Sequence, residues 1–182
     1  MIYNLITPAT SLPVSLAEGK SHLRVTHSSH DDLITDLIWA ATKEFENRSN
    51  LCLTAQTWDL VLSQAEVTSR IGFFKFPVAS ITSVSYYDGD NASQTTTDYT
   101  LFSNGRPSSI RFDLDSDETP TVYDRDDSMI IKFVGGYTTL PLDIKQAILA
   151  RVFRIYENPN DPVSERMSYF DRIAQSYRSF DL

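Results

Sequence analysis

The sequence predicts an α+β subunit: a small helical bundle core, an inserted antiparallel β module and a C-terminal extension. Three observations carry this. Apolar residues recur at helical spacing over about residues 30–48 and again over 141–158. Between them, from about residue 54 to 135, the apolar period changes to two and turn residues punctuate short runs. No helical pattern interrupts that β stretch, which argues against a doubly wound sheet.

The first helix is expected over about residues 15–25. Ser15-Leu16-Ala17-Glu18 is a capping box, in which the serine hydroxyl accepts from the third backbone N–H and the glutamate reaches back. The second helix follows Thr26-His27-Ser28-Ser29-His30. Ser29, Asp31 and Asp32 suit its start, where orphan N–H groups and the dipole favour oxygen and negative charge. Ile34, Ile38, Ala41 and Phe45 make its apolar stripe. Trp39 falls off that stripe, among Asp32, Lys43 and Glu46. It is either one exposed aromatic, which is common, or an anchor for a neighbouring subunit.

Trp58, Leu60 and Leu62 alternate with Thr57, Asp59 and Val61 and open the β module. FFKF, ITSVSYY, DYTLF, SIRFDL and MIIKFV follow as further runs, so about five or six strands are expected. Gly135-Gly136 ends the last run. The pair lacks the third glycine of a dinucleotide fingerprint and the Lys-Ser or Lys-Thr of a P-loop, and Asp143 beyond it would repel phosphate. The glycines therefore serve the backbone, turning the chain toward Pro141, which suits a first helical position. In the helix that follows, Ile144, Ile148, Val152 and Ile155 form one apolar stripe and Leu142, Leu149, Phe153 and Tyr156 a second. Two stripes mean burial on more than one side, in a central core or at a subunit interface. Asn158-Pro159-Asn160-Asp161-Pro162 stops it. Residues 159–182 are then a tail, in which Ser164 can cap a short helix carrying Phe170, Ala174 and Tyr177 on one side. The tail mixes arginines with aromatics, as a frayed peripheral helix or as a docking arm. The domain proper is expected to span 1–158.

Composition bounds the chemistry. The chain has 182 residues, 41% of them apolar, which suits one ordinary domain with an appendage. No stretch is long and apolar enough to cross a membrane, and MIYNLITPATSLPVS lacks the basic start and apolar core of a secretion signal. Cys52 is the single cysteine, so neither an internal disulfide nor a multi-cysteine zinc site is available. It follows a helix end between two leucines, where a small buried residue is expected. The net charge of −8 disfavours tight binding to DNA, which needs a basic face.

Catalytic constellations are not evident. Asp113, Asp115 and Asp117 have the spacing of the first ligands of a calcium loop, but Glu118 stands where that loop needs glycine and Asp124 where it needs glutamate. The stretch reads as a solvated acidic loop; a metal-dependent hydrolase built on residues 113–127 is the reading of another class that it leaves open. His27, Ser28, Ser29, His30 and Asp31 supply the letters of a hydrolase triad within one capping loop, whereas triads are assembled by tertiary geometry. No catalytic, cofactor or metal residue is assigned, and no cofactor is expected.

The order of segments is more informative than any one of them. LPVSLAEGKSHLRV, DDLITDLIWAATKEFEN, LTAQTWDLVLS, FPVASITSVSYYDGD and IIKFVGGYTTLPLDIKQAILARVFRIYEN, spanning about residues 12–158, resemble the head-tail connector proteins of tailed bacteriophages, also called adaptors or head-completion proteins. The resemblance implies a non-enzymatic virion protein at the head-tail interface, assembled in the host bacterial cytoplasm. It implies a homo-oligomeric ring, usually of twelve subunits, that binds the portal protein, meets a stopper or tail-completion protein and passes DNA without reading its sequence. A tail-side stopper or tail terminator is the alternative within the virion. On this footing Trp39, Phe153 and Tyr156 are expected at the subunit interface. Arg166, Tyr169, Phe170, Arg172 and Tyr177 are expected to face the portal.

Overall fold

The structure, a computed structural model, describes residues 1–103, 105–112, 121–159 and 167–178. It is an α+β protein, with four α-helices and two antiparallel sheets among the described residues. Its contacts divide the chain into a β unit, Met1–Ala9 with Ala55–Tyr137, and a helical unit, Thr10–Thr54 with Thr138–Leu182.

In the helical unit, α1 (Leu16–Leu23) starts at the expected capping box, with both the Ser15 and the Glu18 side-chain bonds formed. Gly19 lies where a Cβ would stand 3.0 Å from Ile38 Cδ1 and 3.2 Å from Ile34 Cγ2. The missing side chain is what lets α1 approach α2 (Asp31–Ser49) so closely. The start of α2 differs from expectation. His30 is its N-cap and makes no side-chain cap bond, its Nδ1 lying 2.6 Å from the Tyr156 hydroxyl, while the Ser29 hydroxyl meets His27 Nδ1 at 2.7 Å. Asp31 and Asp32 do occupy the first turn, and Asp31 also pairs with Lys20 of α1.

Ile34, Ile38, Ala41 and Phe45 of α2 are all fully buried, as their spacing predicts. They meet Ile144, Ala147, Ile148 and Val152 of α3 (Leu142–Glu157), which are equally buried. Pro141, expected at the first helical position, is instead the N-cap of α3, so the helix begins one residue later, at Leu142. Cys52 is buried between Leu51 and Leu53, as expected. Glu46 is buried as well; its carboxylate accepts from the Leu53 amide at 2.9 Å and pairs with Lys43, which satisfies a charge that α2 carries inward.

The last helix, α4 (Tyr169–Tyr177), begins later than predicted. Ser168 caps it through a capping box with Asp171, while Ser164 lies outside the described residues.

Among the described residues the β unit contains eight strands, more than the runs suggested. The first, β1 (Ile2–Thr7), has no counterpart in the expected β module. It pairs with β2 (Gln56–Leu62), Ile2 opposite Val61 and Leu5 opposite Trp58. β3 (Arg70–Gly72), β4 (Val78–Tyr87), β5 (Ser93–Thr96), β6 (Tyr99–Phe102), β7 (Ser109–Phe112) and β8 (Met129–Gly135) complete the set. The run FFKF is a correction: the strand is Arg70–Gly72 just before it, and Phe73 and Phe76 are buried from irregular backbone. The strands form a five-stranded sheet, β1-β2-β8-β4-β5, and a three-stranded sheet, β3-β7-β6. One apolar cluster joins them: Leu60, Met129, Ile131 and Phe133 from the larger sheet meet Ile71 and Ile110 from the smaller. Gly136 leaves β8 at φ 142°, a backbone conformation that only glycine adopts readily, so the second glycine of the pair serves the turn as predicted.

Candidate interaction surfaces

The residues singled out in the helical unit do not gather at one place. Phe153 is 45% exposed on α3, its ring edge-on to His22 of α1 with centroids 6.1 Å apart. Tyr156 is half-buried, its hydroxyl 2.6 Å from His30 Nδ1. Trp39 is half-buried on α2. Leu142 is the most exposed large apolar side chain of α3, at 70%. It stands on the same helical face as Phe153 and borders an open groove of about 510 Å³ between α1 and α3, floored by Ala17, Ser21, Gln146 and Leu149. The second apolar stripe of α3 was legible in the sequence. The groove was not, because it depends on where α1 lies.

The C-terminal candidates divide. Phe170 is 3% exposed and stacks edge-on against Phe45, centroids 5.4 Å apart. The guanidinium carbons of Arg48 and Arg151 lie 5.9 and 6.0 Å from its ring. Tyr177 donates to the Asp143 carboxylate at 2.9–3.0 Å. Arg48 also pairs with Asp171. Burial opposes ionisation of Asp171, but the bonds from Ser168 and the charges of Arg48 and Arg151 prevail and hold its carboxyl below the usual range. Phe170 and Tyr177 therefore fasten α4 to α2 and α3. Tyr169 and Arg172 are exposed, and Arg166 lies outside the described residues.

In the β unit the turn after β4 and the segment before β8 form one acidic end. The Asp88 carboxylate accepts from the amides of Asp90 and Ala92 and from Gln94. The Gln94 bond first, then that from the Ala92 amide, keeps Asp88 ionised to lower pH than usual. Tyr123 N donates to Tyr87 O, and Arg125 donates to Asn91 Oδ1 at 3.0 Å, which ties the two segments together. The Arg125 guanidinium lies 3.6 Å above the Tyr87 ring and forks onto Asp127. Asp90, Asp124 and Asp126 remain exposed around it. Of the calcium-like series, Asp113, Asp115, Asp117 and Glu118 lie outside the described residues. Among the described residues, no group of three or more His, Cys, Asp or Glu side chains is placed to hold a metal ion. No helix among them is long and apolar enough to cross a membrane.

The helical unit thus exposes Leu142 and Phe153 on α3 and Tyr169 and Arg172 on α4, and the β unit exposes an acidic end. The family profile described as phage gp6-like head-tail connector protein matches residues 13–104, and the chain belongs to that family of structural connectors. No curated protein matches the sequence. Among solved structures, a chain of the neck of an empty gene transfer agent (GTA) particle, computed with C6 symmetry, superposes with TM-score 0.80 at 19% identity, covering 100% of this chain and 97% of that one. A chain from the virion of a native gene transfer agent particle gives 0.76 at 19%, and one from the neck of a native particle, computed with C12 symmetry, 0.74 at 21%, each with the same coverage. At these identities the likeness is one of fold.

Proposed function

We propose that this connector forms a closed homo-oligomeric ring of twelve subunits at the head-tail junction, between portal and tail, where it extends the DNA channel without reading sequence. The observation that carries the reading is the pairing of family membership with end-to-end likeness to neck proteins of particles described with sixfold and twelvefold symmetry. A cyclic ring needs two different, complementary faces on each subunit. The exposed Phe153 and Leu142 of α3 and the half-buried Trp39 of α2 supply apolar surface on different helices for such a contact. The acidic balance of the chain suits a channel wall that lets DNA slide, since a basic wall would hold its phosphates. The role is one of assembly rather than catalysis. Tyr169 and Arg172, exposed on a helix that Phe170 and Tyr177 fasten down, are the side chains proposed to meet the portal. Imaging of the purified protein as single particles tests the ring itself.

A further inference from the structure

The groove between α1 and α3 offers apolar surface that water alone covers among the described residues. Leu142 stands at its mouth, 70% exposed, and Ala17 and Leu149 lie deeper in it. Phe153, 45% exposed, continues the strip one turn beyond Leu149. At about 100° per residue, Leu142, Leu149 and Phe153 fall within about 40° of one another around α3. Lys145 of α3 and Glu18 of α1 pair at 2.7 Å, so these two charges of the groove already answer each other. What remains for an occupant is the apolar strip, and a strip left open in this way marks a contact site.

The chain beyond α4 starts beside this groove. Tyr177, the last residue of α4, donates to the Asp143 carboxylate, and Asp143 belongs to the same first turn of α3 as Leu142 and Lys145. Arg178 leaves the helix in an extended conformation, φ −66° and ψ 122°. The next four residues, Ser179-Phe180-Asp181-Leu182, lie outside the described residues. Four extended residues reach about 13 Å, and Leu142 to Leu149 spans about 10 Å along a helix. Alternate side chains of an extended segment share one side, which groups Phe180 with Leu182 and sets Ser179 and Asp181 opposite. We propose that residues 179–182 lie in the α1–α3 groove of their own subunit, with Phe180 on Leu142, Leu182 over Leu149 and Asp181 toward water. The tether at Tyr177 selects this occupant, because a segment held at the mouth of a groove competes at an effective concentration in the millimolar range. Phe153, about 16 Å from Leu142 along the helix, is beyond the reach of the segment and stays open for the subunit contact proposed above. Phe180 joins Leu142 in that apolar surface. The docking itself does not depend on the ring.

Disulfide trapping in the full chain tests it. Gln146 is exposed on the α3 rim of the groove, and Cys52, 1% exposed, is closed to oxidant and stays in place. The control partner is Asp32, exposed in the first turn of α2, at the end of the helical unit where His30 meets Tyr156 and away from Asp143. Under limiting oxidant, Gln146→Cys/Asp181→Cys is expected to close a disulfide within one chain at least tenfold faster than Asp32→Cys/Asp181→Cys. Adding Phe180→Ser or Leu142→Ser to the fast pair is expected to slow it to the control rate. Ser21→Cys, exposed on the α1 rim, replaces Gln146→Cys if that variant fails to fold. Equal rates for the groove pair and the control, or a fast pair indifferent to Phe180→Ser, overturn the proposal. Disulfides that join two chains rather than close one give the groove to a second copy and equally overturn it. A ring seen by imaging of a protein that fails the trapping test would retain the ring reading while removing this docking.

Discussion

Replacing Phe170 by alanine asks whether the C-terminal helix is a folded part of the helical unit. Phe170 is 3% exposed, packed on Phe45 and bracketed by Arg48 and Arg151. Truncating a buried Phe costs about 3–5 kcal/mol where the surroundings cannot relax. Here they can, because α4 is nine residues long and its loss leaves α2 and α3 packed on each other. The remaining attachments are Ala174, the Tyr177–Asp143 bonds and the Arg48–Asp171 pair, the last worth about 0–1 kcal/mol at its exposure. The loss should therefore fall on local docking, at about 3 kcal/mol, or roughly a hundredfold in the opening equilibrium. Native-state hydrogen exchange reads this directly. Amides of residues 172–177 should exchange about a hundredfold faster in Phe170→Ala, while those of α2 and α3 keep their rates. If α4 amides are unprotected in the wild type, or exchange at the same rate in both proteins, Phe170 is not the fastening that its burial implies.

Two further outcomes follow from side chains on α1 and α4. The Glu18 carboxyl, held by Lys145 first and then by the Ser15 amide and hydroxyl, is lowered from its ordinary 4.5 to about 2. Its folded-state value is depressed, so its contribution is full above about pH 4.5 and disappears as pH falls toward 2. With the Glu18 side chain 42% exposed, screening limits that contribution to about 0.5–1 kcal/mol. Urea midpoints of wild type and Glu18→Gln should differ at pH 7 and converge through that window; a gap that does not change with pH contradicts the assignment. At the other surface, Tyr169→Ala/Arg172→Ala should leave the melting temperature nearly unchanged and reduce binding to purified portal protein at least tenfold. Portal binding that is unaltered removes these two residues from the docking face.

The α2–α3 core was legible because buried helices write their burial as a 3.6-residue period, and Ile34, Ile38, Ile144 and Ile148 keep that period without interruption. The N-terminal strand was not. IYNLIT is mostly exposed on both faces, so no alternation marks it as half-buried, and its identity as a strand comes from pairing with residues fifty or more positions away. Phe170 was recognised as an anchor, but toward a partner. Periodicity shows that a helix has an apolar face and is silent on what covers it, and here Phe45 covers it. The capping box of Ser168 and Asp171, which fixes the start of α4, was present in the sequence and competed with Ser164. The pairing of Arg70 with Arg111 likewise needed register, since the two are neighbours only once β3 and β7 pair.

The central claim is a cyclic assembly, and single-particle imaging of the purified full chain under associating conditions tests it most directly. The account predicts closed rings with an open centre and twelve copies. Particles that remain monomeric with and without portal protein, or that assemble into open filaments or solid bodies without a central opening, would contradict it.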